Sequence, residues 1–158
     1  DLENFIQERS AHVAQTTLYG YLKTRIGVKY IAMMEDEVFL KSINIAKWNI
    51  YVVALADCAF YVFSYLISEK NLKENDCKEI FLEILENEKK NGLSDEIFNR
   101  GKKKFLERLD KVNFLNYHSN DPFKESGQAL YYWSPIADEL KSLDKKIVLN
   151  SIHLKWND

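Results

Sequence analysis

Proline and glycine are scarce in this sequence, with two and five among 158 residues. Folds built from many tight turns use both residues freely, so their scarcity argues for long uninterrupted elements. Cysteine is scarce too: Cys58 and Cys77 lie in separate segments without CxxC spacing. They read as ordinary thiols of a reducing compartment rather than as a zinc site or a disulfide. The three histidines, His12, His118 and His153, have no glutamate three residues before them. The paired Glu-x-x-His ligands of a carboxylate-bridged di-metal bundle are therefore missing, with only Glu8 four residues before His12 as a faint echo. GxSxG, GxGxxG and GxxxxGK[ST] are also absent, which removes the sequence support for a nucleophile elbow or a phosphate-cradling loop. These gaps predict no metal and no cofactor. The net charge of −2, with both signs mixed along the chain, lacks the concentrated basic field that nucleic acid requires, so no nucleic-acid partner is expected.

What is present centres on the run 48–67, in which Asp57 is the sole ionisable acid or base of the Asp, Glu, Lys, Arg and His kind. A helix drawn through this run is apolar around nearly its whole circumference. Such a helix is either the central rod of a bundle or a membrane span, and about 30 Å of apolar length suits both. Trp48 and Tyr65 near its ends favour a span. Asp57 at its midpoint opposes one, since a carboxylate there costs about 2.5–3.5 kcal/mol on insertion scales. The amphipathic segments elsewhere also need a shared apolar partner, and no second all-apolar segment exists to serve them. The expectation is a single all-α domain over residues 1–158, a bundle of five to seven helices around a central apolar helix at about residues 42–69, with membrane anchoring through 48–67 as the alternative.

Around that rod, Leu2 to Ile26 reads as a first helix with Leu2, Ile6, Val13, Leu18 and Leu22 on its apolar stripe, widened by Phe5, Ala14 and Tyr21. Gly20 suits close approach of a neighbour, and Gly27 suits a C-terminal cap. Ser42 is the expected N-cap of the rod. Beyond Glu69 charge becomes denser and the helices amphipathic. Cys77, Ile80, Phe81, Ile84 and Leu85 form one stripe, while Ser94 caps a helix buried through Phe98, Gly101, Phe105, Leu109 and Val112. Asp121-Pro122 and Ser134-Pro135 each resemble a helix start. The last helix carries Ile136, Leu140, Leu143, Ile147 and Leu154 at heptad-like spacing, which reads as its buried stripe.

Three groups of residues are candidates for function. The first is a polar seam through the bundle. Asn49, Asp57, Ser64 and Ser68 make a thin polar line along the rod, and the first helix offers Arg9, His12, Tyr19 and Lys23 on one face. A buried carboxylate has to be paired, hydrogen-bonded or protonated, so Asp57 is expected to meet Arg9, His12 or Lys23 if the two lines face each other. The pairing either fixes helix register or marks a ligand or proton site between helices. The second group, Tyr131, Tyr132 and Trp133, either forms a partner surface or closes one end of the core. The third comprises Lys102, Lys103 and Lys104 with Arg100 and Arg108. Three consecutive lysines point about 100° apart, and Glu107 and Asp110 dilute them, so the favoured reading is a solvated helix face.

The stretches VAQTTLYGYLKTR (Val13 to Arg25) and SINIAKW (Ser42 to Trp48), with Ala56 and Asp57, resemble an uncharacterised bacterial helical family over roughly the first seventy residues. Some of its members carry an esterase label, but the resemblance implies no established reaction, substrate or cofactor. It favours a bacterial protein or a bacterially derived organellar one. The chain opens at Asp1 without a basic segment and short apolar run, so secretion is not inferred from it. The expected location is cytoplasmic, or an organellar matrix if a targeting segment was removed. The functional expectation is a non-enzymatic α-helical interaction domain, a subunit or adaptor with a protein partner or a second copy of itself. One alternative is a bundle that binds an apolar small molecule or lipid near Asp57, with enzymatic activity a further possibility. The other is a membrane-anchored subunit.

Overall fold

Helix α3, Glu37–Lys70, is the axis of the architecture, and α1, α4, α5 and α6 all pack against it. The structure, a computed structural model, describes residues 1–70 and 72–158. The side chain of Ser68, at the far end of the expected polar line, lies outside the described residues. Before the axis come α1 (Leu2–Ile26), a 3-10 turn at Gly27–Lys29 and the one-turn α2 (Tyr30–Met33). After it come α4 (Glu74–Lys89), α5 (Asp95–Leu109), a second 3-10 turn at Tyr117–Ser119, α6 (Lys124–Trp133) and α7 (Asp138–Trp156). No strand occurs among the described residues. The fold is an all-α bundle around a central apolar helix.

The axis buries residues on all sides. Ile50, Ala54, Leu55, Ala59, Phe60 and Phe63 are fully buried, each large side chain contributing about 1.5–3 kcal/mol over its exposed state. Phe60 stacks on Phe105 of α5 at 5.0 Å between ring centroids, and Phe105 in turn stacks on Phe81 of α4 at 3.8 Å. By length and composition, Glu37–Ile67 is apolar enough to cross a membrane, yet 67% of its most apolar window is buried against the rest of the chain.

Helix boundaries follow local chemistry, with several departures from the sequence reading. Gly27 ends α1 at φ 68°, a left-handed value that glycine adopts without penalty. Ser94 caps α5 by accepting from Ile97 N–H at 3.3 Å. Ser42 is not a cap. The central helix begins six residues earlier, where Asp36 accepts from Phe39 N–H at 2.9 Å, and Ser42 donates back to the Val38 carbonyl inside the helix. Asp121 has a φ of 47° and precedes α6 by three residues, so Asp121-Pro122 shapes a turn rather than a helix start. Ser134 closes α6 by donating to the Leu130 carbonyl, and α7 begins only at Asp138.

Gly20 is exposed, with open space where its side chain would lie, so it permits no close helix approach. Phe5, expected to widen the stripe of α1, is exposed. The largest correction concerns α7. Leu140, Leu143, Ile147 and Leu154 point to solvent, and the helix is held instead through Val148, Ile152, Trp156 and the buried stem of Lys141. It packs on α6 and α1, which meet the opposite face of the helix.

Candidate functional site

Asp57 is fully buried, and its partners come from α5 and α6 rather than from α1. Arg108 Nη2 lies 2.6 Å from Asp57 Oδ1. Ser126 donates twice to Oδ2, through its backbone N–H at 2.8 Å and its hydroxyl at 2.5 Å. Tyr117 completes the network: its hydroxyl donates to the Pro122 carbonyl at 2.5 Å and accepts from Arg108 Nη2 at 3.3 Å. Burial pushes Asp57 above the usual carboxylate range, and the Arg108 charge with the Ser126 and Arg108 hydrogen bonds offsets part of that rise. Burial opposes the charge on Arg108, but Asp57 and Tyr117 outweigh it and hold the guanidinium charged. Tyr117 is pushed up by burial and by Asp57, so it stays a neutral hydroxyl.

The seam expected between α1 and the rod does not form. Asp57's neighbour Cys58 is the residue that faces α1, where Ser10 contacts its thiol. Successive helical residues point about 100° apart, so a rod that turns Cys58 toward α1 turns Asp57 away. His12 and Lys23 are exposed, and Tyr19 is half-buried. Arg9 instead meets the last turn of α7, donating to the Lys155 and Trp156 carbonyls at 3.0 and 2.9 Å. A cation at those carbonyls satisfies the C-terminal end of α7.

The remaining sequence candidates do converge. Asn49 on α3 accepts a short hydrogen bond from Arg100 Nη2, and the Arg100 guanidinium lies 5.2 Å from the centre of the Trp133 ring. Both border a cleft of about 650 Å³ whose base is Val52, Val53 and Ala56 of α3. Arg100, Lys104 and Arg108 run along its α5 wall at four-residue steps, about 6 Å apart along the helix. Tyr131 and Trp133 of α6 form the facing wall, and Lys145 of α7 stands 5.8 Å from the centre of the Tyr131 ring. Tyr132 borders the cleft as well, though most of its side chain is exposed. Glu125 is the one acidic residue among those lining it.

The solvated-face reading of the basic run holds for its three lysines and needs correction for the two flanking arginines. Lys102, Lys103 and Lys104 are all exposed, whereas Arg100 and Arg108 are half-buried; Arg100, Lys104 and Arg108 share one side of α5 and border the cleft. The missed signal was the spacing of Gly101, Phe105 and Arg108: steps of four and three place Arg108 on the stripe that buries Phe105. Arg108 also forms part of a second cleft, of about 390 Å³, beside Phe60, Tyr117 and Asn116.

Chemically, the site divides in two. Asp57 and Ser126 are sealed and satisfied, so they fix structure. The cleft beside them offers an apolar base, two aromatic rings and a row of cations, which is equipment for binding. Among the described residues no three His, Cys, Asp or Glu side chains converge to hold a metal. No known protein family, no curated protein and no solved structure matches this chain.

Proposed function

We propose that this chain is a helical-bundle binding domain that takes a small molecule with an apolar body in the cleft between α3, α5, α6 and α7. The carrying observation is the composition and size of that cleft: about 650 Å³, with Val52, Val53 and Ala56 at its base and Tyr131 and Trp133 along one wall. Small-molecule sites occupy roughly 300–1,000 Å³ and are mainly apolar with a few placed polar groups. The role is binding without catalysis, because both buried carboxylates among the described residues are engaged, Asp57 by Arg108 and Ser126 and Glu88 by Gln7, Tyr51 and Asn91. Titration with Nile red, a neutral apolar fluorophore, tests it. Saturable binding with one site per chain is expected, and Val53→Phe, which fills the cleft, should remove it. Nile red binding that is absent, or indifferent to Val53→Phe, overturns the reading.

A second reading, a non-enzymatic interaction domain within a larger assembly, is supported by the outward seam of α7. Leu140, Ile147 and Leu154 recur at seven-residue steps with Leu143 between them, and all four are exposed. A narrow seam of this period is the kind that pairs with another helix. The occupant this reading names is a second copy of the chain. Four such side chains cover less than the roughly 800 Å² per partner of a standard interface, so the dimer would be a weak one. Sedimentation across a concentration series tests it, with Leu143→Glu/Ile147→Glu expected to abolish any dimer.

A further inference from the structure

The charges around the cleft carry the reading further, to the class of molecule it takes. We infer that the ligand is a single-chain amphiphile with an anionic head, the head meeting Arg108 and Lys104 and the chain lying over Ala56, Val53 and Val52 toward Arg100. The inference rests on the cleft being a ligand site, and it adds the sign of the ligand's charge and the direction in which it lies.

Four cations, Arg100, Lys104, Arg108 and Lys145, border the cleft, against the single acid Glu125. Their environments differ in a way that matters. Arg100 is engaged by Asn49 and by Glu96 at 3.5 Å, and its guanidinium covers Trp133. Lys104 has neither a hydrogen bond nor an ion pair among the described residues. Lys145 has only the Tyr131 ring. Two ammonium groups without counter-charges thus flank an apolar surface, and an anion between them gains from both.

Arg108 is the fixed member of the group. A guanidinium has five N–H donors, and only Nη2 is bound, to Asp57 and Tyr117. The other donors have no hydrogen-bond partner among the described residues. The group also sits 4.8 Å from the centre of the Phe60 ring. Asp57 therefore acts as a positioning residue: it holds the guanidinium plane in place and leaves its remaining edge for the planar, two-oxygen face of a carboxylate or for a phosphate. The apolar base begins beside this anchor, since Ala56 precedes Asp57 in the chain, and continues back along α3 through Val53 and Val52. Arg108 keeps free donors at the Asp57 end of the cleft, Arg100 is already engaged at the Asn49 end, and the hydrocarbon surface lies between them, which defines an amphiphile lying along α3 with its head toward Arg108.

Displacement of bound Nile red by dodecanoate, dodecyl phosphate, dodecanol and dodecylammonium tests this, each used below its micelle concentration. Both anions should displace at concentrations at least about tenfold lower than dodecanol, and dodecylammonium should be weakest. The better of the two anions tells a fatty-acid head from a phosphate head. Lys104→Met/Lys145→Met alters two exposed side chains and should narrow the gap between dodecanoate and dodecanol several-fold, the dodecanol displacement measured in the same variant serving as the reference. Arg108→Met should narrow it further, with the double lysine variant as the control should that protein not fold. Equal displacement by dodecanol and the anions, or an anion preference unchanged in the double lysine variant, overturns the inference while the cleft remains a site. Loss of the cleft itself registers separately, as Nile red binding indifferent to Val53→Phe.

Discussion

Asp57 of α3 caps α6 from across the bundle, accepting from the Ser126 N–H at 2.8 Å over a separation of 69 residues in sequence. Ser126 is the third residue of α6, the position whose N–H an N-cap side chain ordinarily satisfies. The residue at the cap position itself is Phe123, which has no acceptor to offer. A carboxylate on the central helix supplies what the local sequence lacks, and its charge meets the positive end of the α6 dipole. The same carboxylate pairs with Arg108, so one side chain joins α3, α5 and α6.

Asp57→Ala is accordingly expected to cost about 3–5 kcal/mol, because it strands a largely buried guanidinium and two Ser126 donors together. Urea unfolding measures it. Asp57→Ala/Arg108→Leu should recover only part of the loss, since the Ser126 N–H stays orphaned, which by itself costs about 1–3 kcal/mol. Full recovery in the double variant would mean that the cap contributes nothing. Pairing Asp57→Ala with Arg9→Leu or Lys23→Leu should recover none.

The two thiols are expected to be inert in the native state. Cys58 and Cys77 are buried, and burial raises both, Cys58 from 9.0 to about 12. Iodoacetamide at pH 8 should label neither until urea is added. The same shifts set the alkaline limit of the fold. Cys58 holds its proton more tightly folded than unfolded, so its contribution is whole below about pH 9 and is lost as pH rises toward 12. The slope is up to about 1.4 kcal/mol per pH unit for one such group. Tyr21, raised from 10.0 to about 12 by burial and its hydrogen bond to Asp144, adds a smaller loss between those values because it is partly solvated. A melting temperature that stays flat from pH 8 to 11 would contradict this.

The central helix was legible because its signal is compositional: an all-round apolar run admits only a buried or membrane setting, whatever its neighbours do. The stripes of α4 and α5 were legible from spacing alone. What failed was the choice of partner. Asp57 and Arg108 lie on different helices, and nothing local in either segment says which way the rod is rotated. That rotation is decided by which face packs on α1, through Cys58. In α7 the heptad-spaced stripe outscored the true one because the buried face includes Lys141, whose ammonium reaches the Tyr132 carbonyl at 3.0 Å, while its stem behaves as an apolar residue. The cleft was half visible. Tyr131 and Trp133 were singled out, and so was Asn49, but their meeting depends on how α6 lies over α3.

The two faces of α7 give a direct check on that correction. Leu143→Gln and Ile147→Gln should each change stability by no more than about 0.5 kcal/mol, since both side chains are already in water. Ile152→Ala, on the fully buried side, should cost about 2–5 kcal/mol. Chemical denaturation of the three variants distinguishes the faces. The reverse order would restore the stripe that the sequence suggests.

Gly101 and Gly127 mark two places where helices touch too closely for a side chain. A Cβ at Gly101 would collide with Val52 Cγ1, which fixes how near α5 lies to α3 along the cleft. Valine in a helix is held to one rotamer, so Val52 cannot swing aside. Gly101→Ala should therefore cost about 1–3 kcal/mol, even though alanine favours a helix over glycine by about 1 kcal/mol. Gly101→Ala/Val52→Ala should be more stable than Gly101→Ala alone, because the second change removes the colliding methyls. At Gly127 the obstacle is the Leu149 carbonyl, 2.8 Å from an added Cβ. Backbone cannot be trimmed by any substitution, so Gly127→Ala should force α6 and α7 apart and have no side-chain rescue. Urea midpoints measure both. A neutral or stabilising Gly101→Ala would place α5 farther from α3 than the structure has it, and the cleft between them would then be wider and shallower.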